Sequence, residues 1–211
     1  MSKLILGRHG ETIFNAEGRW TGHTDVLLTE RGREESREAG RYIAERVDVI
    51  NAVHYSMLRR TFTSAMAMLG EIACCPDIDI QAHAALNERD YGIYTGQRKQ
   101  DIREQYGQEE FMRIRRGWDH PIPGGESLKD VSEQRIVPFH ENIIVPDLSA
   151  GKNSLVVSSN NPLRAYVKYL EAIPDNEAPG IELGTAEVRI YDFDEELNIV
   201  GQTSHVIGDV H

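Results

Sequence analysis

The chain has 211 residues, 40% apolar and 27% charged, with 23 Lys plus Arg against 34 Asp plus Glu, a formal net charge of −11. That predicts one soluble domain over residues 1–211 and argues against a broad basic face for nucleic acid or an anionic membrane. No apolar run approaches the ~20 residues of a membrane span, the first ten residues lack a secretory pattern, and the adjacent Cys74 and Cys75 would make a strained bridge, so a cytoplasmic protein is expected.

In chain order, Leu4-Ile5-Leu6 reads as a short buried strand ending at Gly7. Residues 29–47 form an amphipathic helix, with Ala39, Ile43 and Val47 every fourth position. Residues 52–55 read as a second strand, 60–72 as a helix, and the alternating Ile78, Ile80 and Ala82 as a third strand. Residues 101–117 suit one or two helices, and 121–125 a Pro/Gly loop. A helix is expected over 127–143, with Ser127 as N-cap and Asp130 in its first turn. Residues 154–158 are a strand, 162–170 a helix with Pro at its start, and 188–192 and 198–200 the closing strands. Strands alternating with helices predict an α/β fold with a mostly parallel sheet flanked by helices. The strand-free stretch from about 86 to 126 is expected as a helical insertion over the carboxyl end of the strands, where such folds gather ligands.

The residues that follow each strand carry the chemistry. Arg8-His9-Gly10 pairs an imidazole, which can act as a nucleophile toward phosphorus, with a guanidinium that donates to phosphate; an ordinary strand–helix loop is the alternative. Arg59-Arg60 opens a helix, which suits an anion, although two solvated arginines would look the same. Glu88, in Leu86-Asn87-Glu88-Arg89, could act as a general acid and base beside a phosphate. Lys99, Arg115 and Arg116, with Arg8, Arg60 and Arg89, would make a local cationic basket in an acidic protein, fit for a small polyanion. The junction Ser158-Ser159-Asn160-Asn161 could hold phosphate through backbone N–H groups. Zinc, P-loop, nucleophile-elbow and dinucleotide patterns are absent from the sequence, and no metal is expected.

Taken together, RHGETIFN (8–15), WTGHTD (20–25), SMLRRT (56–61), LNERDYG (86–92), Lys99, the Arg115-Arg116 pair, GGESLKD (124–130) and PLRAYVKYL (162–170) resemble the histidine phosphatase superfamily. Within it they resemble the phosphoglycerate mutases that use 2,3-bisphosphoglycerate. The motifs fall in the family's order and span about four-fifths of the chain. The resemblance implies that His9 carries the phosphoryl group, that Arg8 and Arg60 clamp it, and that Glu88 exchanges the proton of the substrate hydroxyl. It further implies that Asn15, Thr21, Gly22, Arg89, Tyr91, Lys99, Arg115 and Arg116 hold phosphoglycerate, that 2,3-bisphosphoglycerate primes the cycle, and that the protein is a homodimer or homotetramer; Asn160 and Asn161, at the junction after the fourth strand, join them as candidate binding residues.

One departure stands out. The family's Ala-His-Gly-Asn-Ser-Leu-Arg-Ala is here Ser158-Ser159-Asn160-Asn161-Pro162-Leu163-Arg164-Ala165, so its second histidine falls on Ser159. A hydroxyl donates one hydrogen bond and carries no charge; the loss of such a contact typically costs roughly 10²–10³ in rate. His23, where the family usually has Trp, and Asp90 are smaller departures. Two expectations follow: a mutase of reduced or rearranged chemistry, in which His23, His54 or His205 would take the missing histidine's place, or a pseudoenzyme that binds phosphoglycerate or a partner without turnover. A phosphatase acting on other esters is disfavoured by the retained basket.

Overall fold

The computed structural model describes residues 1–72 and 74–210; the side chains of 74–76, and with them the expectation for Cys74 and Cys75, lie outside the described residues, as does His211. Strands β1 (Ser2–Arg8), β2 (Ile50–Ser56), β3 (Cys74–His83), β4 (Ser154–Ser158), β5 (Val188–Phe193) and β6 (Ile199–His205) form one sheet in the order β3-β2-β4-β1-β5-β6. β1 and β4 run parallel with Arg8 opposite Ser158, and β2 lies parallel to both β4 and β3. β5 is antiparallel to β1, and β6 to β5, which gives the mostly parallel sheet that the alternation of elements predicts. β6 is longer than the 198–200 expected, because the β5 ladder carries the pairing on to His205 despite its exposed, weakly apolar side chains.

Helices α1 (Ile13–Ala16), α2 (Glu30–Ala44), α3 (Arg59–Leu69) and α4 (Lys99–Arg116), a helical run over 128–149 and a last helix, Asn160–Leu170, complete the frame. Thr12, Thr29 and Ser127 cap their helices with side-chain oxygens, and Asp130 closes a capping box on Ser127. α2 and α3 end before Val47 and Ile72, which reach the core from the turns beyond, through Val47 N to Ile43 O at 2.9 Å and Ile72 N to Leu69 O at 3.1 Å. The last helix starts two residues before Pro162, since Ser159 already has extended N-cap geometry. α4 is two helices meeting at Gly107, whose φ of 81° suits glycine. The 128–149 run survives Pro138 and Pro146 by widening into π turns at Ser132–Ile136 and His140–Ile144, each just before a proline that lacks an N–H.

Two cores sandwich the sheet. Leu4, Leu6 and Val156 face the 128–149 run and the last helix, while Ile5, Leu155 and Val157 face α2 and α3. Burial on both faces is why these strands read as continuous apolar runs. A third, smaller cluster of Trp20, Tyr91, Tyr94, Ile102, Phe111, Ile114 and Ile122 folds the strand-free stretch over one end of the sheet. The loop after β1 rests directly on α2: a Cβ on Gly10 would lie 1.9 Å from the Gly32 carbonyl oxygen, and one on Gly32 would lie 2.0 Å from that of Glu11. Among the described residues, no helix is long and apolar enough to cross a membrane.

Candidate active site

The carboxyl ends of β1 and β4 and the start of α3 meet beneath the strand-free stretch. Between them lies a cleft lined by Arg8, Asn15, Arg19, Trp20, Thr21, Glu88, Tyr91, Lys99, Arg115, Arg116 and Asn160. Its walls carry five cations and one carboxylate, in a protein whose net charge is −11.

His9 leaves β1 buried, with its backbone N–H donating to Ser158 O at 3.0 Å and its carbonyl accepting from Ala186 N at 3.1 Å. Its Nδ1 lies 2.7 Å from Gly10 O. A carbonyl only accepts, so Nδ1 carries the proton and a neutral ring keeps its lone pair on Nε2. The fixed tautomer suits a nucleophile.

Arg8 donates through Nη1 to Leu183 O, while its Nε is buried without a hydrogen-bond partner. Arg60, at the start of α3, donates to Thr24 O and Gly22 O at 2.9 Å each, and through Nε to Ser159 Oγ at 3.3 Å. Burial lowers both guanidinium pKa values to about 10, so both remain charged at neutral pH; the charge of Glu88 opposes that shift at each. Arg59 grips Asp25 through Nε at 2.7 Å and backbone N at 2.8 Å, which fastens α3 to the loop bearing Thr21 and Gly22.

Glu88 is 7% exposed, and its Oε1 accepts from Arg89 N at 2.7 Å and from Asn161 through Nδ2 at 3.1 Å and N at 3.3 Å. Tyr91, tilted against Trp20 with ring centroids 4.4 Å apart, accepts from the same Asn161 Nδ2 at 2.7 Å. Lys99 reaches into the cleft from the start of α4. Burial, then Arg115, Arg8 and Arg116, brings its pKa down to about 7. Arg116 is almost fully buried and meets Glu182 at 2.5 Å.

The structure thus brings Arg8, Asn15, Thr21, Glu88, Tyr91, Lys99, Arg115, Arg116 and Asn160 to one cleft, with His9, Arg60, Gly22 and Ser159 linked to its walls. Two side chains expected to face a ligand are turned elsewhere. Arg89 donates to Ile114 O at 2.8 Å and Arg115 O at 3.3 Å, which braces α4. Asn161 serves Glu88 and Tyr91, and its Oδ1 accepts from Arg164 at 2.9 Å. Arg19, held by Gly96 O at 2.9 Å, and Trp20 join the lining. Trp20 sits inside the WTGHTD motif, so its place was within reach of the sequence; Arg19 carried no such signal.

Ser159 is fully buried beside Arg60. Of the three histidines named as stand-ins for the family's second one, His23 touches the site, with Nε2 donating to Glu88 O at 2.8 Å. His54 is bound between His83 and Asp147, at 3.0 and 2.9 Å, and His205 stacks on Tyr42. Among the described residues, no group of three or more His, Cys, Asp or Glu could hold a metal ion.

The family model of the histidine phosphatase superfamily (branch 1) matches residues 4–203. The 2,3-bisphosphoglycerate-dependent phosphoglycerate mutase of Rhizobium etli is 36% identical over 210 residues, covering 100% of each chain. Its namesake from Parvibaculum lavamentivorans is 35% identical over 99% of this chain and 98% of its own. Among solved structures, mycobacterial glucosyl-3-phosphoglycerate phosphatase aligns with a TM-score of 0.79 over 100% of both chains at 20% identity, a likeness of fold.

Proposed function

The chain belongs to the histidine phosphatase superfamily, and from that premise we propose that it interconverts 3- and 2-phosphoglycerate through a phosphorylated His9. One observation carries this: Gly10 O sets the His9 tautomer with its proton on Nδ1, and His9 directly follows Arg8, which lines a cleft walled by arginines and one carboxylate. Buried guanidinium nitrogens without hydrogen-bond partners, on the cleft residues Arg8 and Arg116, fit a ligand rich in anionic oxygens.

Phosphoryl transfer needs positioning and charge neutralisation above all. His9 Nε2 attacks phosphorus, and the N–P bond forms as the P–O bond to the leaving oxygen breaks. Arg8 and Arg60 neutralise the transferring oxygens. Glu88 returns a proton to the leaving oxygen and takes one from the hydroxyl that attacks in the reverse step. Lys99, Arg115 and Arg116, with Asn15, Thr21 and Asn160, hold the remaining phosphate and carboxylate. The same residues would hold 2,3-bisphosphoglycerate, which supplies the phosphoryl group that first loads His9. A cytoplasmic homodimer or homotetramer that takes small phosphoglycerates as partners belongs to the same proposal.

Incubation with 2,3-bisphosphoglycerate is expected to give an acid-labile mass gain of one phosphoryl group and conversion of 3- to 2-phosphoglycerate. Both should vanish in His9→Ala. Ser159 favours a second reading, a phosphoglycerate-binding protein without turnover; binding with neither adduct nor conversion would select it.

A further inference from the structure

The GGESLKD motif (124–130) lines no part of the cleft, yet it grips the loop that carries Glu88. A Cβ on Gly125 would lie 2.5 Å from the Asp90 carbonyl oxygen, and one on Gly92 would lie 2.1 Å from that of Pro123, so the two segments touch backbone to backbone. Glu126 then meets Asp90 twice. Its N–H donates to Asp90 O at 2.9 Å, and its Oε2 accepts from Asp90 N at 2.8 Å. The same Oε2 accepts from Arg135 Nη2 at 2.9 Å. Arg135 stands in the first π turn, Ser132–Ile136, and its Nη1 donates to Asn87 O at 2.8 Å. One ion pair therefore ties residue 87 to residue 90, across Glu88 and Arg89. Its side chains are only 16% and 27% exposed. Burial pushes the Arg135 guanidinium down, and the charges of Glu126 and Glu88 oppose that. Asn161 and Arg89 N hold the Glu88 carboxylate itself, whereas the ion pair holds the backbone on both sides of it.

We infer that Glu126 and Arg135 are positioning residues, whose ion pair sets where the Glu88 carboxyl stands against the oxygen that leaves phosphorus. This rests on the role given to Glu88 above. When an alkyl phosphate loads His9, the N–P bond forms as the P–O bond breaks, and the alkoxide oxygen takes its proton from the Glu88 carboxyl. p-Nitrophenyl phosphate needs no such proton, because p-nitrophenolate leaves as a stable anion. Misplacing a reacting group by about 1 Å can cost roughly 10²-fold. A loosened 87–90 segment thus slows alkyl esters and spares the aryl ester.

The test measures the loading rate of His9 from 2,3-bisphosphoglycerate, glycerol 3-phosphate and p-nitrophenyl phosphate in wild type, Glu126→Ala, Glu126→Gln and Arg135→Met. In Glu126→Ala and Arg135→Met the alkyl-to-aryl rate ratio is expected to fall about tenfold, a fraction of the 10²–10⁴ that a general acid supplies. Glu126→Gln keeps an acceptor for Asp90 N and is expected to stay within about threefold of wild type. The aryl rate reports that the site is folded. Should Glu126→Ala and Arg135→Met melt early, Arg135→Lys carries the test: it lacks the fork that spans Asn87 O and Glu126, and a ratio about threefold lower is expected. An equal fall for all three donors would make the pair a structural brace and overturn the inference, as would an unchanged ratio. If wild type loads from glycerol 3-phosphate and p-nitrophenyl phosphate but never converts 3- to 2-phosphoglycerate, the phosphoglycerate reading fails, and the glycerol 3-phosphate ratio still decides the role of the pair. A wild type that loads from no donor has no proton transfer for the pair to serve, and the inference falls.

Discussion

The side-chain nitrogen of Asn161 donates to two site residues at once, Glu88 Oε1 at 3.1 Å and Tyr91 Oη at 2.7 Å. Asn161 is itself fixed by Arg164, which donates to its Oδ1 at 2.9 Å. Glu88 is therefore held from the last helix, on the far side of the sheet end from its own loop. Asn161→Ala leaves Glu88 with backbone donors alone. Turnover of 3-phosphoglycerate is expected to fall about 10- to 100-fold, the scale of a hydrogen bond to a charged group, with KM changed less than threefold. Asn161→Asp, which sets a second carboxylate against Glu88, should cost more and move the acid limb of the pH profile upward.

On the proposed chemistry, position 159 sets the strength of the phosphoryl site. Ser159→His would add a donor that can carry charge beside Arg60, and the expected gain in turnover is about 10²-fold, by analogy with the loss of one such donor elsewhere. Ser159→Ala removes only a hydroxyl that accepts from Arg60 at 3.3 Å, and a change of less than tenfold is expected. Steady-state rates on the two variants decide whether the serine is a working part or a gap in the site.

On the proposed chemistry, Lys99 makes binding depend on pH. Its pKa of about 7 arises from burial and the neighbouring Arg115, Arg8 and Arg116. An anionic ligand favours the ammonium form, so binding raises that pKa and draws in a proton. At about pH 8 the ligand phosphate is already fully ionised, its second pKa being about 6, so the proton goes to the protein. Calorimetry in two buffers of different ionisation enthalpy should show uptake of up to one proton per 3-phosphoglycerate, and affinity should weaken as pH rises through about 7. Lys99→Met should abolish the uptake.

Gly32 lies inside α2, where alanine ordinarily stabilises by about 1 kcal/mol. Here the new methyl would meet the Glu11 carbonyl oxygen at 2.0 Å. Gly32→Ala is expected to destabilise by about 1–3 kcal/mol, as overpacking does, with a lower urea midpoint and weaker phosphorylation of His9, two residues from the collision.

The strands and the cleft motifs were legible because each rests on local order. β1 and β4 are apolar runs, Arg8 and His9 stand at the end of β1, and Glu88 sits in the compact motif that follows β3. What stayed hidden depends on contacts far apart in the chain. Arg89 stands in the same motif as Glu88, yet its Nη2 donates to the carbonyls of Ile114 and Arg115 and the residue does not line the cleft. Arg164 reads as one cation of a helix; it is fully buried and donates to Ile181, Asn161, Arg116 and Ala178. Arg19 reaches the cleft through the carbonyl of Gly96, and Glu182 lies in an irregular segment with no pattern to mark it. A charge-rich composition does not say which arginines go inside; carbonyls at the ends of other elements decide that.

Arg8 stands opposite Ser158 in the parallel register, so the next residue on each strand, His9 and Ser159, leaves the sheet side by side. Their separation belongs to the hydrogen-bonded ladder, and loop motion does little to alter it. On the proposed chemistry, whatever occupies 159 governs how long a phosphorylated His9 survives before water reaches it. A transferase needs that adduct to outlast product exchange, and a hydrolase needs the reverse. The decay time of the adduct in the Ser159 variants would therefore show whether one rigidly held position can tip this scaffold from moving a phosphoryl group to discarding it.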